Sequence, residues 1–205
     1  MMTARHALRC SLLAFALSAT LVTAQSEEGT PPDMNEFMKA MGAMMSGGSN
    51  AAPVVDFREL KALLPPDLPG LKRTGATGEK STAMGMTVAY AEGTYSSDDS
   101  SVTVKISDNG GLGGLMAFAQ TAWANSEIDR ETETGFERTT TYGGCKAHEE
   151  YDSEGKSGTI EVLVAQRFMV EISGSDVPFE TLQAAVEKID LAKLATIKPK
   201  TAEAK

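Results

Sequence analysis

Five methionines between residues 34 and 45 form the sharpest chemical feature of the chain. They are Met34, Met38, Met41, Met44 and Met45. Their spacing of mostly three and four residues is typical of one face of a short helix. Thioether sulfur is a soft ligand that favours Cu(I) or Ag(I), so this segment could hold such an ion. The alternative is an apolar helix face that packs on the domain or on a partner, because methionine adapts to irregular surfaces.

Cys145 and His148 are the next candidates, because a thiol and an imidazole can act as nucleophile and base. Alternation predicts that both lie on one strand, and residues three apart on a strand point to opposite faces. A catalytic pair is therefore not expected. We predict that Cys145 faces inward with Ala147 and Tyr151, where a buried thiol reacts slowly. His148 is predicted to be exposed.

Two further segments lack the spacing that their chemistry would need. The glycine-rich loop Asn109 to Gly114 has no Gly-Lys-Ser/Thr, so a phosphate-binding loop is not indicated. The acidic run Glu127 to Glu133 lacks the ordered ligand series of a calcium loop and is predicted to be a solvated segment. No catalytic or cofactor-binding residues are predicted. An enzyme that uses carboxylates alone stays possible, because Asp and Glu are abundant and unplaced.

Charge and composition exclude several classes of protein. The chain has 205 residues, with 19 Lys and Arg against 28 Asp and Glu, and a formal net charge of −9. This acidic balance argues against a nucleic-acid partner, which requires a basic surface. Two cysteines and two histidines are too few for a disulfide scaffold or a zinc module rich in cysteine and histidine.

Residues 1–24 have the pattern of a secretory signal peptide. Arg5 and Arg9 precede a short apolar run, and Val22-Thr23-Ala24 offers small residues for cleavage. We therefore expect a mature N-terminus at Gln25 and a periplasmic or secreted protein with no stable membrane span after cleavage. Loss of the two arginines takes the formal charge from −9 to −11. One cysteine then remains, so no internal disulfide can form.

The mature chain is predicted to divide into an arm, one domain and a tail. Residues 25–53 are rich in Pro, Gly and Ser around the methionine helix, which is typical of a flexible arm. Residues 54–196 carry the periodic apolar patterns of a single folded domain. Residues 197–205 form a polar tail.

The fold class predicted for this domain is α+β. Period-two alternation indicates about six to seven strands, separated by hairpin-length links that require antiparallel pairing. Helical spacing is found before Pro65, between residues 115 and 125, and after Pro178. The predicted order is helix-βββ-helix-ββββ-helix, with helices packed on the sheet.

Two resemblances accompany this prediction. The order of elements is similar to the PsbP-like architecture. The stretches DFRELKALLPPDLPGLKR, EIDRETETGFERTTTYGGCKAHEEY and RFMVEISG resemble a group of uncharacterised exported bacterial proteins. Some members of that group carry the label transposase, which the acidic charge and the export signal here do not support. The resemblance implies no functional residues.

Three functions therefore remain as hypotheses. The first is an exported, non-catalytic protein that binds an unknown protein or small ligand, without a cofactor. The second is soft-metal handling through the methionine-rich arm. The third is a carboxylate-based enzyme, although non-catalytic binding is favoured.

Overall fold

A computed structural model describes residues 53–83, 86–110, 123 and 125–199 of the chain. These residues form one antiparallel sheet of nine strands, accompanied by three short helices. In chain order the elements are α1 (Phe57–Lys61), β1 (Asp67–Leu68), β2 (Leu71–Ala83), β3 (Met86–Ser97), β4 (Ser100–Asp108), β5 (Asp129–Glu131), β6 (Gly135–Tyr142), β7 (Cys145–Asp152), β8 (Ser157–Val164), β9 (Phe168–Ser175), α2 (Phe179–Glu187) and α3 (Leu191–Thr196).

The order of strands across the sheet is β1-β2-β3-β4-β9-β8-β7-β6-β5. Each strand pairs antiparallel with its neighbours. The chain therefore forms two meanders, β1 to β4 and β5 to β9, which join where β4 pairs with β9. This arrangement places β6, β7 and β8 side by side, and they carry the candidate site described below.

One face of the sheet, which we call the inner face, carries the hydrophobic core. Alternate residues of the central strands are fully buried there: Val102, Val104, Ile106, Ile160, Val162, Val164, Val170 and Ile172. Helix α1 packs against β2 and β3, and α2 packs against β8 and β9. Leu60 of α1, Leu182 of α2 and Leu194 of α3 are also fully buried. The three helices therefore cover the inner face.

The prediction of an α+β fold with a sheet of about six to seven strands is wrong. The described chain is mostly a single nine-stranded sheet, and its helices have only five, nine and six residues. Seven of the nine strands have eight or more residues, which is long enough to show alternation. Strands β1 and β5 have two and three residues, too few to show a period of two. The likeness to PsbP-like architecture rested on the predicted order of elements and falls with it.

Helix α1 is shorter than its apolar spacing predicts. The Asp56 carboxylate caps it by accepting a hydrogen bond from the Arg58 amide at 2.9 Å. The helix ends at Lys61, yet Leu63 and Leu64 beyond it are still buried. The apolar residues at helical spacing therefore mark buried positions and not the length of the helix. The helix itself ends before the two prolines that follow.

The other two predicted helices also differ from expectation. The helix after Pro178 is divided, because the Asp190 carboxylate accepts a hydrogen bond from the Lys193 amide at 2.8 Å and begins α3. Of the predicted helix between residues 115 and 125, only Trp123 and Asn125 lie among the described residues, and both have helical backbone.

A buried ion pair fastens the start of the domain to the end of β4. Asp108 is 0% exposed, and the Arg167 guanidinium donates two hydrogen bonds of 2.8 Å to its carboxylate. The backbone amides of Val55 and Gly110 donate two more, at 2.7 and 2.9 Å. Arg167 also donates to the Pro53 carbonyl at 2.6 Å. Four donors thus satisfy a carboxylate that the core would otherwise exclude.

A second buried carboxylate, Glu149, lies on the inner face of β7 and is 1% exposed. Arg138 of β6 donates to it at 2.6 Å, and the Tyr142 hydroxyl donates to its other oxygen. Burial and the Glu149 carboxylate raise the pKa of Tyr142 well above its usual range. The phenol therefore stays protonated and remains a donor to Glu149.

Candidate functional site

The face opposite the helices, which we call the outer face, is polar and carries a cluster of titratable side chains. Register places His148 opposite Glu161, and Glu161 opposite Glu171. Two residues further along β7, Glu150 lies opposite Glu137 of β6. Neighbouring strands are about 4.8 Å apart, so these five residues of β6 to β9 form one continuous patch.

A cavity of about 340 Å³ lies over this patch, and we call it the Trp123 cavity. Trp123 and Ile128 supply apolar wall. The polar wall includes Glu137, Thr139, Lys146, His148, Glu150 and Glu161. Concave sites that combine apolar surface with a few convergent polar groups are the usual form of a small-molecule site.

The segment that carries Trp123 is held against the strands by hydrogen bonds. The Ser126 hydroxyl donates to the Trp123 carbonyl at 2.8 Å. The Ile128 amide donates to the Thr139 hydroxyl at 3.0 Å, and the Thr139 amide donates to the Ile128 carbonyl at 2.8 Å. Lys146 donates from its ammonium group to the Ser126 carbonyl. The tryptophan wall is therefore positioned by β6 and β7.

Three titratable side chains, His148, Glu137 and Arg130, form a chain at one side of the cavity. His148 Nε2 lies 3.1 Å from Glu137 Oε1, and Arg130 Nη2 lies 2.5 Å from Glu137 Oε2. The His148 and Glu137 side chains are only 22% and 20% exposed. The prediction of an exposed His148 is therefore wrong, because the neighbouring strand and the cavity wall enclose it. The acidic run is also partly structured, since Arg130 lies in β5.

Glu161 is the perturbed group of the cavity. Burial raises its pKa above the ordinary glutamate value, and the carboxylates of Glu171 and Glu150 raise the pKa further. His148 acts in the opposite direction and lowers it. Glu161 forms no ion pair with any side chain of the described residues. The ionised form is therefore held in an unfavourable environment.

Replacing Glu161 with glutamine is expected to stabilise the protein at neutral pH by about 0.5–1 kcal/mol, the scale of a like-charge pair across two strands. A raised pKa means that the native state favours the protonated acid. The contribution of Glu161 to stability is therefore greatest below the ordinary glutamate pKa of 4.5 and is lost as the pH rises through the raised pKa.

Urea unfolding of the two proteins at several pH values measures this effect. The two free energies of unfolding should converge at acidic pH and diverge near neutrality. Glu171→Gln removes the same repulsion but also removes the carboxylate opposite Lys105 of β4, so its gain at neutral pH should be smaller. A loss of stability in Glu161→Gln at neutral pH would contradict the unfavourable environment of this carboxylate.

A second, shallower cleft of about 520 Å³ adjoins the Trp123 cavity and shares Glu137 and Glu150 with it. Its floor lies on the same outer face, where Glu150, Thr159 and Ser173 stand in one row across β7, β8 and β9. This cleft extends the polar surface beyond the cavity and leaves room for a ligand longer than the cavity itself.

Cys145 and His148 lie on opposite faces of β7, as the spacing predicts. Cys145 shares the inner face with Ala147, while His148 faces the cavity. The thiol is free but only half-buried, packed at the margin of the core. Cys145 faces inward as predicted, but the prediction of a buried thiol is wrong, because Cys145 begins β7, beside the turn, instead of lying at its centre.

The methionine site stays a prediction. Met34, Met38, Met41, Met44 and Met45 lie outside the described residues, as do residues 1–24. Within the described part of the chain, no group of three or more His, Cys, Asp or Glu side chains could hold a metal ion. None of the helices found there has the length and apolar character needed to cross a membrane.

Neither the Trp123 cavity nor the burial of Asp108 and Glu149 is predicted from the sequence. A signal for the two buried acids is present, because each continues an inward-facing alternation of apolar residues. Asp108 follows Ile106 by two residues, and Glu149 follows Ala147 by two. An acid at such a position must have a partner or remain uncharged. The cavity has no local signal, since its walls come from separate segments.

Comparison with known proteins gives no family. The chain matches no protein-family model, and no curated protein or solved structure resembles it significantly.

Proposed function

We propose that this protein is an exported, non-catalytic binding protein that holds a small ligand in the Trp123 cavity. The observation that supports it most strongly is the cavity itself, where the apolar surface of Trp123 and Ile128 meets several titratable side chains. Perturbed groups in a cleft are typical of functional sites. Export rests on the signal-like pattern of residues 1–24 and implies recovery of the protein from the periplasm or the medium.

The framework suits binding because most of the wall is built on paired strands. Glu137, His148 and Glu161 come from β6, β7 and β8. Strands β7 and β8 contribute buried residues to the core, and β6 packs Tyr142 against it. Sites on such elements are held more precisely than sites on free loops. The Trp123 segment is joined to the strands by the Ile128–Thr139 hydrogen bonds.

Tryptophan fluorescence tests this proposal, because Trp123 is the single tryptophan of the chain. A library of small metabolites is screened for a rise in melting temperature, and each hit is titrated while the emission is recorded. A true ligand should change the emission and stabilise the protein. Tyr90→Phe, an outer-face variant on β3 away from the cavity, should respond like the wild type.

Two outcomes would overturn the proposal. One is a library in which no compound stabilises the protein. The other is a set of stabilising compounds that leave the Trp123 emission unchanged, since these would bind elsewhere. Trp123→Ala provides the complementary variant, in which stabilisation by a true ligand should be strongly reduced.

A carboxylate-based enzyme is a second candidate, and Glu161 is the observation in its favour. An acid whose pKa is raised in a cavity beside His148 is suited to general acid catalysis. Mass spectrometry of a bound compound after prolonged incubation separates the two functions. A binding protein returns the compound unchanged, whereas an enzyme converts it and Glu161→Gln abolishes the conversion.

A further inference from the structure

We infer that the ligand of the Trp123 cavity is a small organic cation that carries an ammonium group. This inference rests on the proposed binding function and adds the chemical class of the ligand. It stands on three features of the described residues: the charge of the cavity wall, the position of Glu161, and the aromatic surface of Trp123 in the same cavity.

The charge of the wall is negative where a ligand would contact it. Glu137, Glu150 and Glu161 all line the cavity. The cationic groups nearby already have partners, because Arg130 pairs with Glu137 and the Lys146 ammonium donates to the Ser126 carbonyl. Arg130 compensates Glu137, and Lys146 keeps its positive charge, but Glu150 and Glu161 form no ion pair among the described residues. The wall therefore keeps a negative balance, which favours a cation over an anion.

Glu161 is placed where it reduces stability in the absence of a ligand. It lies directly opposite Glu171 of β9. It also follows Thr159, the partner of Glu150, by two residues on the same face of β8. Like charges at facing positions of two strands oppose folding. Glutamine would fit the same position without that penalty. A bound cation would offset this repulsion. The charge of Glu161 would then contribute to ligand binding, although it does not stabilise the fold.

The aromatic wall selects an organic cation. Trp123 and the carboxylates belong to the same cavity of about 340 Å³. An ammonium group on a tryptophan face is attracted by the ring electrons, and tryptophan is the strongest such partner among side chains. A bare metal ion gains nothing from this wall. It would also need several oxygen ligands at one point, and no such group is found among the described residues.

The test uses a panel of ammonium ions: methylammonium, tetramethylammonium, choline and putrescine. Each is titrated into the full mature chain while Trp123 emission and melting temperature are recorded. Neohexanol, the neutral carbon analogue of choline, serves as the matched ligand control. At least one cation should bind while neohexanol does not, and affinity should rise with pH as Glu161 ionises in its setting of Glu171, Glu150 and His148.

Two variants locate the effect. Glu161→Gln should weaken binding of the cation by about tenfold, the effect of losing one charge-assisted contact of about 1.4 kcal/mol. Glu171→Gln relieves the same repulsion but does not line the cavity, so it should retain most of the affinity. Glu161→Gln is expected to be at least as stable as the wild type, so its loss of binding cannot be attributed to unfolding.

The outcomes distinguish this inference from the function on which it rests. If neohexanol or an anionic compound binds the cavity as tightly as any cation, the inference is overturned while the binding function stands. The inference is also overturned if Glu161→Gln and Glu171→Gln weaken cation binding equally. If no compound of any charge changes the Trp123 emission or the melting temperature, the proposed function fails as well.

Discussion

Replacing Asp108 with alanine is expected to lower the free energy of unfolding by about 3–5 kcal/mol, the largest effect of any single substitution considered. The change removes an acceptor that is 0% exposed and leaves four donated hydrogen bonds without a partner. Two of these belong to Arg167, whose side chain is 21% exposed and cannot readily turn to solvent. Urea unfolding followed by circular dichroism measures the loss.

The matched control is Asp67→Ala. Asp67 also pairs with a cation, Lys188, at 3.0 Å, but the two side chains are 63% and 41% exposed. A surface pair of this kind contributes about 0–1 kcal/mol because water replaces the lost partner. If Asp108→Ala were no more destabilising than Asp67→Ala, the Asp108 ion pair would not secure the start of the domain.

Replacing Glu149 with alanine is expected to cost about 2–3 kcal/mol, less than the loss at Asp108. Glu149 accepts hydrogen bonds from Arg138 and Tyr142, and its burial is nearly complete. Arg138 is 45% exposed, so its guanidinium can recover a partner from water. The Tyr142 hydroxyl is more enclosed and loses an acceptor. The cost of Glu149→Ala is therefore smaller than that of Asp108→Ala, because one of the donors that lose their acceptor can bind water instead.

Tyr142→Phe separates the two contacts of Glu149. This variant removes one donor but leaves the Arg138 ion pair in place, so we expect a cost of about 1 kcal/mol. Equilibrium unfolding of both single variants gives the comparison. An equal cost for Tyr142→Phe and Glu149→Ala would show that the hydroxyl, and not the buried charge, determines the effect.

The long strands could be predicted because their alternation has a direct physical cause. On β4, Val102, Val104 and Ile106 all face the core, and the residues between them do not. Such a pattern persists over enough residues to be read without knowledge of the partner strand. Strands β1 and β5 are stabilised by pairing with long neighbours, so their own residues carry no comparable signal.

The candidate site could not be predicted for a related reason. Trp123 reads in the sequence as one apolar residue of a helix face, and Glu161 reads as the polar position of a half-buried strand. These two side chains line the same cavity only because of the order of the strands, which places β8 beside β7 and β7 beside β6. Individual residues show which face they occupy, but not which distant side chains share it.

The two faces of the sheet divide stability and binding between them. Asp108 and Glu149 contribute to the inner face, where each carboxylate has its donors within the fold. Glu161 on the outer face is only partly buried and lies among like charges. Substitution should therefore have opposite effects at the two faces. Removing an inner-face carboxylate destabilises the protein, whereas neutralising Glu161 stabilises the protein and lowers its affinity for the ligand.

The most direct test of the binding cavity is the indole N–H resonance of Trp123 in a two-dimensional amide NMR spectrum. The chain has one tryptophan, so this signal needs no assignment. A ligand that raises the melting temperature should shift the indole resonance progressively during a titration and reach saturation. A ligand that stabilises the protein while the resonance stays unmoved would place binding elsewhere and contradict the assignment of function to the Trp123 cavity.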